Sequence, residues 1–166
     1  FSDAQRALYE VVLAAEVASI EAVAPGVPFD RIHEISLEII VDGLIELGLL
    51  NGTREEVLDS GAYRAFFMHK TSHWLGLDVH DCGRYFTGDG EPRQLEPGMV
   101  LTVEPGIYVD PENKDVDAKW RGIGIRIEDD VLVTRDGCEV LTAAAPKSVE
   151  DVEAACRGAV PAGTSA

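Results

Sequence analysis

Basic side chains are scarce: 14 lysines and arginines stand against 30 aspartates and glutamates, a formal net charge of −16 over 166 residues. That leaves no basic stripe for phosphate contacts and excludes nucleic-acid binding, while the acidity itself marks solubility rather than a partner. Cysteine is also sparse. Cys82, Cys138 and Cys156 are an odd number at unrelated spacings, with no CxxC pair for zinc or redox work, and they point to a reducing, cytoplasmic setting. No apolar run approaches the roughly 18 residues of a membrane span, and no basic segment leads into an apolar core as in a secretory leader. Internal repeats and interdomain linkers are missing, and the length suits one domain with a sizeable core. The chain opens at Phe1 rather than methionine, which reads as a piece of a longer protein.

What is present begins with helices. Ser2 and Gln5 stand at capping-box spacing ahead of Leu8, Val11, Val12, Ala15, Ala18 and Ala22, a helical pattern broken by Pro25, Gly26 and Pro28. A second helix is predicted from Asp30 to a stop at Gly48, carrying Ile32, Ile35, Ile39, Leu44 and Leu47, with His33 as a partly exposed helix residue rather than a ligand. Thr53 with Glu56 predicts a short third helix. Later, Glu96, Pro97 and Gly98 form a turn that launches a strand with Val100, Thr102 and Glu104 on one face. Ile123, Ile125 and Ile127 then alternate with Gly124, Arg126 and Glu128, the isoleucines facing the core; Asp129 and Asp130 read as turn residues. A turn at Asp136 and Gly137, a strand about Val140 and a helix from Ser148 follow, and residues 157–166 read as a disordered tail behind one unit, 1–156.

Chemistry concentrates in FFMHKTSHWLGLDVHDCG, residues 66–83, which holds His69, His73 and His80. Imidazole near neutrality suits both metal ligation and proton transfer; a single such ring is more often a hydrogen-bonded core or surface histidine, and the clustering of three weakens that reading. Residue types favour an extended chain here, in which His73 and His80 would face opposite ways; Gly76 offers a bulge or bend that could bring both rings to one site. Glu104 reads as a strand-end carboxylate. Arg126 beside Glu128 reads as a site pair or as a surface salt bridge, with Gly124 leaving room for a ligand.

These residues carry a resemblance. The histidine stretch, LEPGMVLTVEPGIYV at 95–109 and WRGIGIRIEDDVLVT at 120–134 are similar, in order, to motifs of the Xaa-Pro aminopeptidases (aminopeptidase P), pita-bread metallopeptidases related to prolidase, methionine aminopeptidase and creatinase. Lys70 departs from the motif, which usually has a small residue there. The resemblance implies an α+β fold, the C-terminal half of the pita-bread domain, with a curved, mostly antiparallel sheet and helices on one face. It places His73, Glu104 and Glu128 at metal positions, and it gives the catalytic work to His80, Glu104 and Arg126. His69 and His80 would bind substrate.

Two divalent ions, manganese foremost with cobalt or zinc possible, would then direct a metal-bound hydroxide at the bond between an N-terminal residue and a proline in second position. The paired aspartates that complete such a site, in a DxGxxYxGYxxDxTR-like segment, are absent here, and Asp78 and Asp81 do not match them. The resemblance therefore implies a missing N-terminal half as partner, low activity for this chain alone, an apolar face where that half would pack, and a homo-oligomer. A prolidase-like dipeptidase and a catalytically dead pita-bread interaction module are the alternatives.

Overall fold

In the computed structural model, which describes residues 1–158, helix α1 (Asp3–Glu21) and helix α2 (Phe29–Glu46) form an antiparallel pair. The Ser2 capping box is made as expected, with Oγ accepting from the Gln5 amide and the Gln5 side chain accepting from the Ser2 amide. The two helices approach closely because position 43 is glycine: a Cβ there would lie 2.5 Å from Val11 Cγ1. Helix α3 (Arg54–Ser60) uses the second predicted box, Thr53 with Glu56, and ends on Gly61 in the left-handed region before a 3-10 turn at Ala62–Ala65.

The sheet is where the site is made. Strands β1 (Val100–Val103) and β4 (Asp129–Val133) pair antiparallel, with Val103 opposite Asp129, and β5 (Cys138–Val140) adds to β4. Strands β2 (Gly106–Tyr108) and β3 (Gly124–Arg126) form a second antiparallel ladder with Gly106 opposite Arg126. The same two chain segments thus build both ladders, and the break between them falls at Glu104 and Pro105 on one segment and at Ile127 and Glu128 on the other. Pro105 has no amide to give a continuous ladder, and its carbonyl accepts from the Ile127 amide at 3.4 Å across the break. The expected curved sheet is therefore bent at this point.

Asp129 does not sit in a turn: it opens β4, 2% exposed, and faces the helices. The predicted strand through the histidine stretch is also shorter than expected. Residues 71–75 run antiparallel beside β1, with the Glu104, Thr102 and Leu75 amides donating to the Thr71, His73 and Val100 carbonyls, and the chain then reverses. The helices lie on one side of the sheet, α1 crossing β1, β2 and β3.

Two apolar clusters fill the interior. The larger joins Leu8, Val12, Ile40, Leu44 and Phe67 to Ile107, Ile125 and Trp120; the smaller joins Val23, Phe29 and Ile32 to Trp74, Leu101, Val103 and Val131. Helix α4 (Val149–Cys156) is capped by Ser148 as expected. Arg157 and Gly158 close it through backbone hydrogen bonds, and the rest of the expected disordered tail lies outside the described residues.

Candidate metal centre

Strand geometry carries the two glutamates to the bend from opposite directions, and the histidine stretch brings in the third donor. Ligand-capable atoms of His73, Glu104 and Glu128 all lie within 4.8 Å of one another, the one such group of three found among the described residues. Asp78 and Asp81 do not join it. The His73 ring is held from behind: Nδ1 donates to the Trp74 carbonyl at 3.0 Å, so Nε2 is the nitrogen turned to the carboxylates, 3.3 Å from Glu104 Oε1. Thr102 ties the pair together, accepting from the His73 amide at 3.1 Å and donating to Glu104 Oε1 at 3.2 Å. Glu128 keeps one edge open to solvent; burial of the rest, and then the negative charge of Glu104, raise its carboxyl above the ordinary range. Carboxylates crowded in this way gain from a shared cation.

Around the triad stands a second set of side chains. Arg126 forms an ion pair with Glu104, donates from Nε to the Tyr108 hydroxyl at 2.6 Å, and sets Nη2 3.0 Å from His69 Nε2. His69 donates from Nδ1 to the Lys70 carbonyl at 2.7 Å, which leaves Nε2 as the acceptor for Arg126 and for Tyr108, 3.1 Å away. Burial lowers the His69 pKa, against the opposing pull of the hydrogen bond to the Lys70 carbonyl and with the field of Arg126 adding to the lowering. His80 arrives by the chain reversal, in which the Asp81 amide donates to the Trp74 carbonyl; its exposed ring meets His73 edge-on with centroids 4.3 Å apart. Gly76 lies inside this reversal rather than at a bulge within a strand, its amide donating to the Asp78 carbonyl at 3.2 Å.

All six residues singled out in the sequence thus gather at one face of the bend. Tyr108 and Thr102 are the two that the sequence pattern does not single out. Their signal is faint: Thr102 shares the Glu104 face two residues earlier, and Tyr108 is one aromatic in a strand. His33, read as an ordinary helix residue, sets Nδ1 2.9 Å from Thr71 Oγ1, and burial, then the Lys70 charge, lower its pKa to about 4. Exposed large apolar side chains cluster along the same stretch, at Met68, Leu77, Val79 and Phe86, whereas Leu101, Val103, Val131 and Val133 of the sheet are covered.

Fold and site together define the class. The chain superposes on the structure of Pseudomonas aeruginosa aminopeptidase PepP with a TM-score of 0.92 and 54% identity, covering 95% of this chain and 36% of that one. Zinc-substituted Escherichia coli aminopeptidase P in complex with product aligns at 0.89 and 46%, covering 97% of this chain and 36% of that one. The fold is that of the pita-bread enzymes. The chain belongs to metallopeptidase family M24, whose model matches residues 1–135. It is 47% identical over 153 residues to the Xaa-Pro aminopeptidase of Haemophilus influenzae, 92% of this chain and 35% of that protein. The Escherichia coli Xaa-Pro aminopeptidase is 48% identical over 154 residues, 93% of this chain and 34% of that protein. The chain therefore spans about a third of the length of the curated relatives it matches.

Proposed function

We propose that this chain supplies part of the active site of an Xaa-Pro aminopeptidase, and that His73, Glu104 and Glu128 are its share of the metal ligands. The convergence of those three donors within 4.8 Å carries the reading. An imidazole with two carboxylates suits manganese, cobalt or zinc, with manganese favoured by the oxygen-rich set. Such an ion, when bound, lowers the pKa of water and polarises a carbonyl.

The chain's own residues do the rest. Glu104, placed between Arg126 and His73, is the group positioned to accept and return a proton, while the Arg126 cation fixes its orientation. His80 is the exposed ring beside the triad and steadies the carbonyl oxygen of the scissile bond. Neutral His69, locked by Arg126 and Tyr108, forms a wall against the proline ring.

Three donors hold one ion weakly, and further carboxylates are needed for two; the other part of a full-length enzyme, or another copy in an oligomer, supplies them. Titration calorimetry with Mn²⁺ tests this. The expected result is a single weak event that disappears in Glu128→Ala. Binding that survives the substitution would refute the ligand assignment. Rapid cleavage of an Xaa-Pro peptide by the chain alone would refute the shared-site reading.

A further inference from the structure

Lys70, within the histidine stretch, is exposed and lines a cleft beside the triad's outer side chains. This cleft, about 170 Å³, is lined by His33, Tyr63, Phe67, Met68 and His69 together with Arg64 and Lys70; Phe67 is buried and the two cations are exposed. No carboxylate lines it, although the chain carries 30 acidic residues. Arg64 and Lys70 have no ion-pair partner within 4.0 Å among the described residues, and Arg64 rests against the Tyr63 ring, 5.4 Å from its centroid. Half of the 14 lysines and arginines lack such a partner among the described residues, so it is the placement of two of them on one cleft without a carboxylate that favours an anion.

We infer that this cleft is a carboxylate-reading subsite, which takes a negatively charged group on the residue following proline in a bound peptide. The inference rests on the function proposed above, because His69 is what joins the two places. Its Nε2 faces Arg126 and Tyr108 on the triad side, and its ring lines the cleft. A peptide whose proline lies against His69 would carry its next residue about 3.3 Å further along an extended backbone, and the cleft that His69 shares with Lys70 is where we place it. The volume is of the right size, since at about 30 Å³ for each liquid water the cleft holds a few waters or one acidic side chain. The carboxylate could be an Asp or Glu side chain or the free end of a tripeptide, and the same two cations would hold either.

The test is a nitrogen-15 NMR titration of the chain with Ala-Pro-Glu-amide, Ala-Pro-Gln-amide, Ala-Pro-Ala with a free carboxylate, and Ala-Pro-Ala-amide. In each pair the charged peptide is expected to bind about fivefold tighter, the range of a partly exposed ion pair, and to shift the Arg64 and Lys70 amides. The advantage should shrink in about 0.5 M salt, fall below about twofold in Lys70→Gln, and persist in Lys70→Arg. A preference confined to the first pair identifies an acidic side chain as the group read; one confined to the second identifies the peptide terminus. Equal affinities in the unaltered chain, an advantage untouched by Lys70→Gln, or no binding of any peptide would overturn the subsite. Mn²⁺ titration of the same samples separates the two readings: a chain that prefers carboxylates but ignores Mn²⁺ keeps the subsite and loses the triad, and the converse result does the opposite.

Discussion

Glu128 and Asp129 are adjacent in the chain and opposite in environment. Glu128 stands at the bend, open to solvent on one edge and crowded against Glu104. Asp129 points to the helix side, where Lys147 Nζ donates to it at 3.0 Å and the Thr142 hydroxyl donates to it as well. Lys147 spends its remaining protons on the Thr142 and Ala145 carbonyls, at 3.2 and 3.1 Å. One carboxylate has a lysine and a hydroxyl supplied by the fold, whereas the other has no ion-pair partner within 4.0 Å among the described residues. A single step along the chain separates a carboxylate turned to the helix side from one turned to the open face of the bend. Glu16 complicates the buried side: 1% exposed, with no hydrogen-bond partner among the described residues, its pKa is raised to about 9 by burial and then by Asp129.

The contrast can be broken most sharply at Lys147. Lys147→Met strands the Asp129 charge in the interior and should cost about 4 kcal/mol in urea unfolding. If the loss were as small as that of a surface substitution, Asp129 would have to be solvated after all.

Next in size is Glu16. A carboxyl whose folded pKa exceeds its unfolded value favours folding only below the unfolded pKa, and the contribution is lost as pH rises toward the folded one. Here the window runs from 4.5 to about 9. At pH 7 the protein holds this group protonated roughly 2.5 units above its unfolded pKa, so Glu16→Leu should stabilise it by about 3 kcal/mol, and the gain should vanish near pH 4.5. Thermal unfolding of both proteins across that range reads the difference, and a pH-independent gain would mean that packing rather than charge is responsible.

His33 gives the reverse slope. Its pKa is depressed from 6.5 to about 4, so the stability tied to its neutral ring is complete above 6.5 and drains away as pH falls to 4. His33→Asn, which retains a partner for Thr71, should flatten the acid limb by about 2 kcal/mol in the same melts. An unchanged limb would place the acid sensitivity elsewhere.

The smallest effect is expected on the open side. Glu128→Gln should change unfolding free energy by less than about 0.5 kcal/mol while removing Mn²⁺ binding. A large loss of stability there would erase the distinction between the two residues.

Much of this was legible in the sequence, for reasons that differ by residue. Both capping boxes were readable because they are local, a side chain and an amide three residues apart. The faces of Glu104 and Glu128 followed from alternation, and the three motifs in order identified the family and the gathering of His69, His73, His80 and Arg126. Asp129 reads wrongly as a turn residue because two consecutive aspartates after a clean alternating run look like its end, and only the Lys147 partner far along the chain reveals otherwise. Glu16 sits among alanines on a helix, a pattern that suggests a solvated face until the sheet covers it. The bend at Pro105 depends on a break in both ladders at once, a property of the pairing rather than of either segment.

The two apolar clusters carry one tryptophan each, Trp120 in the larger and Trp74 in the smaller, and these are the only two in the chain. Intrinsic fluorescence can therefore address each core separately: Trp120→Phe leaves emission from behind His73, and Trp74→Phe leaves emission from beneath the helices. Helix α1 threads both cores, contributing Leu8 and Val12 to one and Ile20 to the other. The two emission curves should consequently share one midpoint, the optical signature of a sheet and helix layer that melt as a single cooperative body.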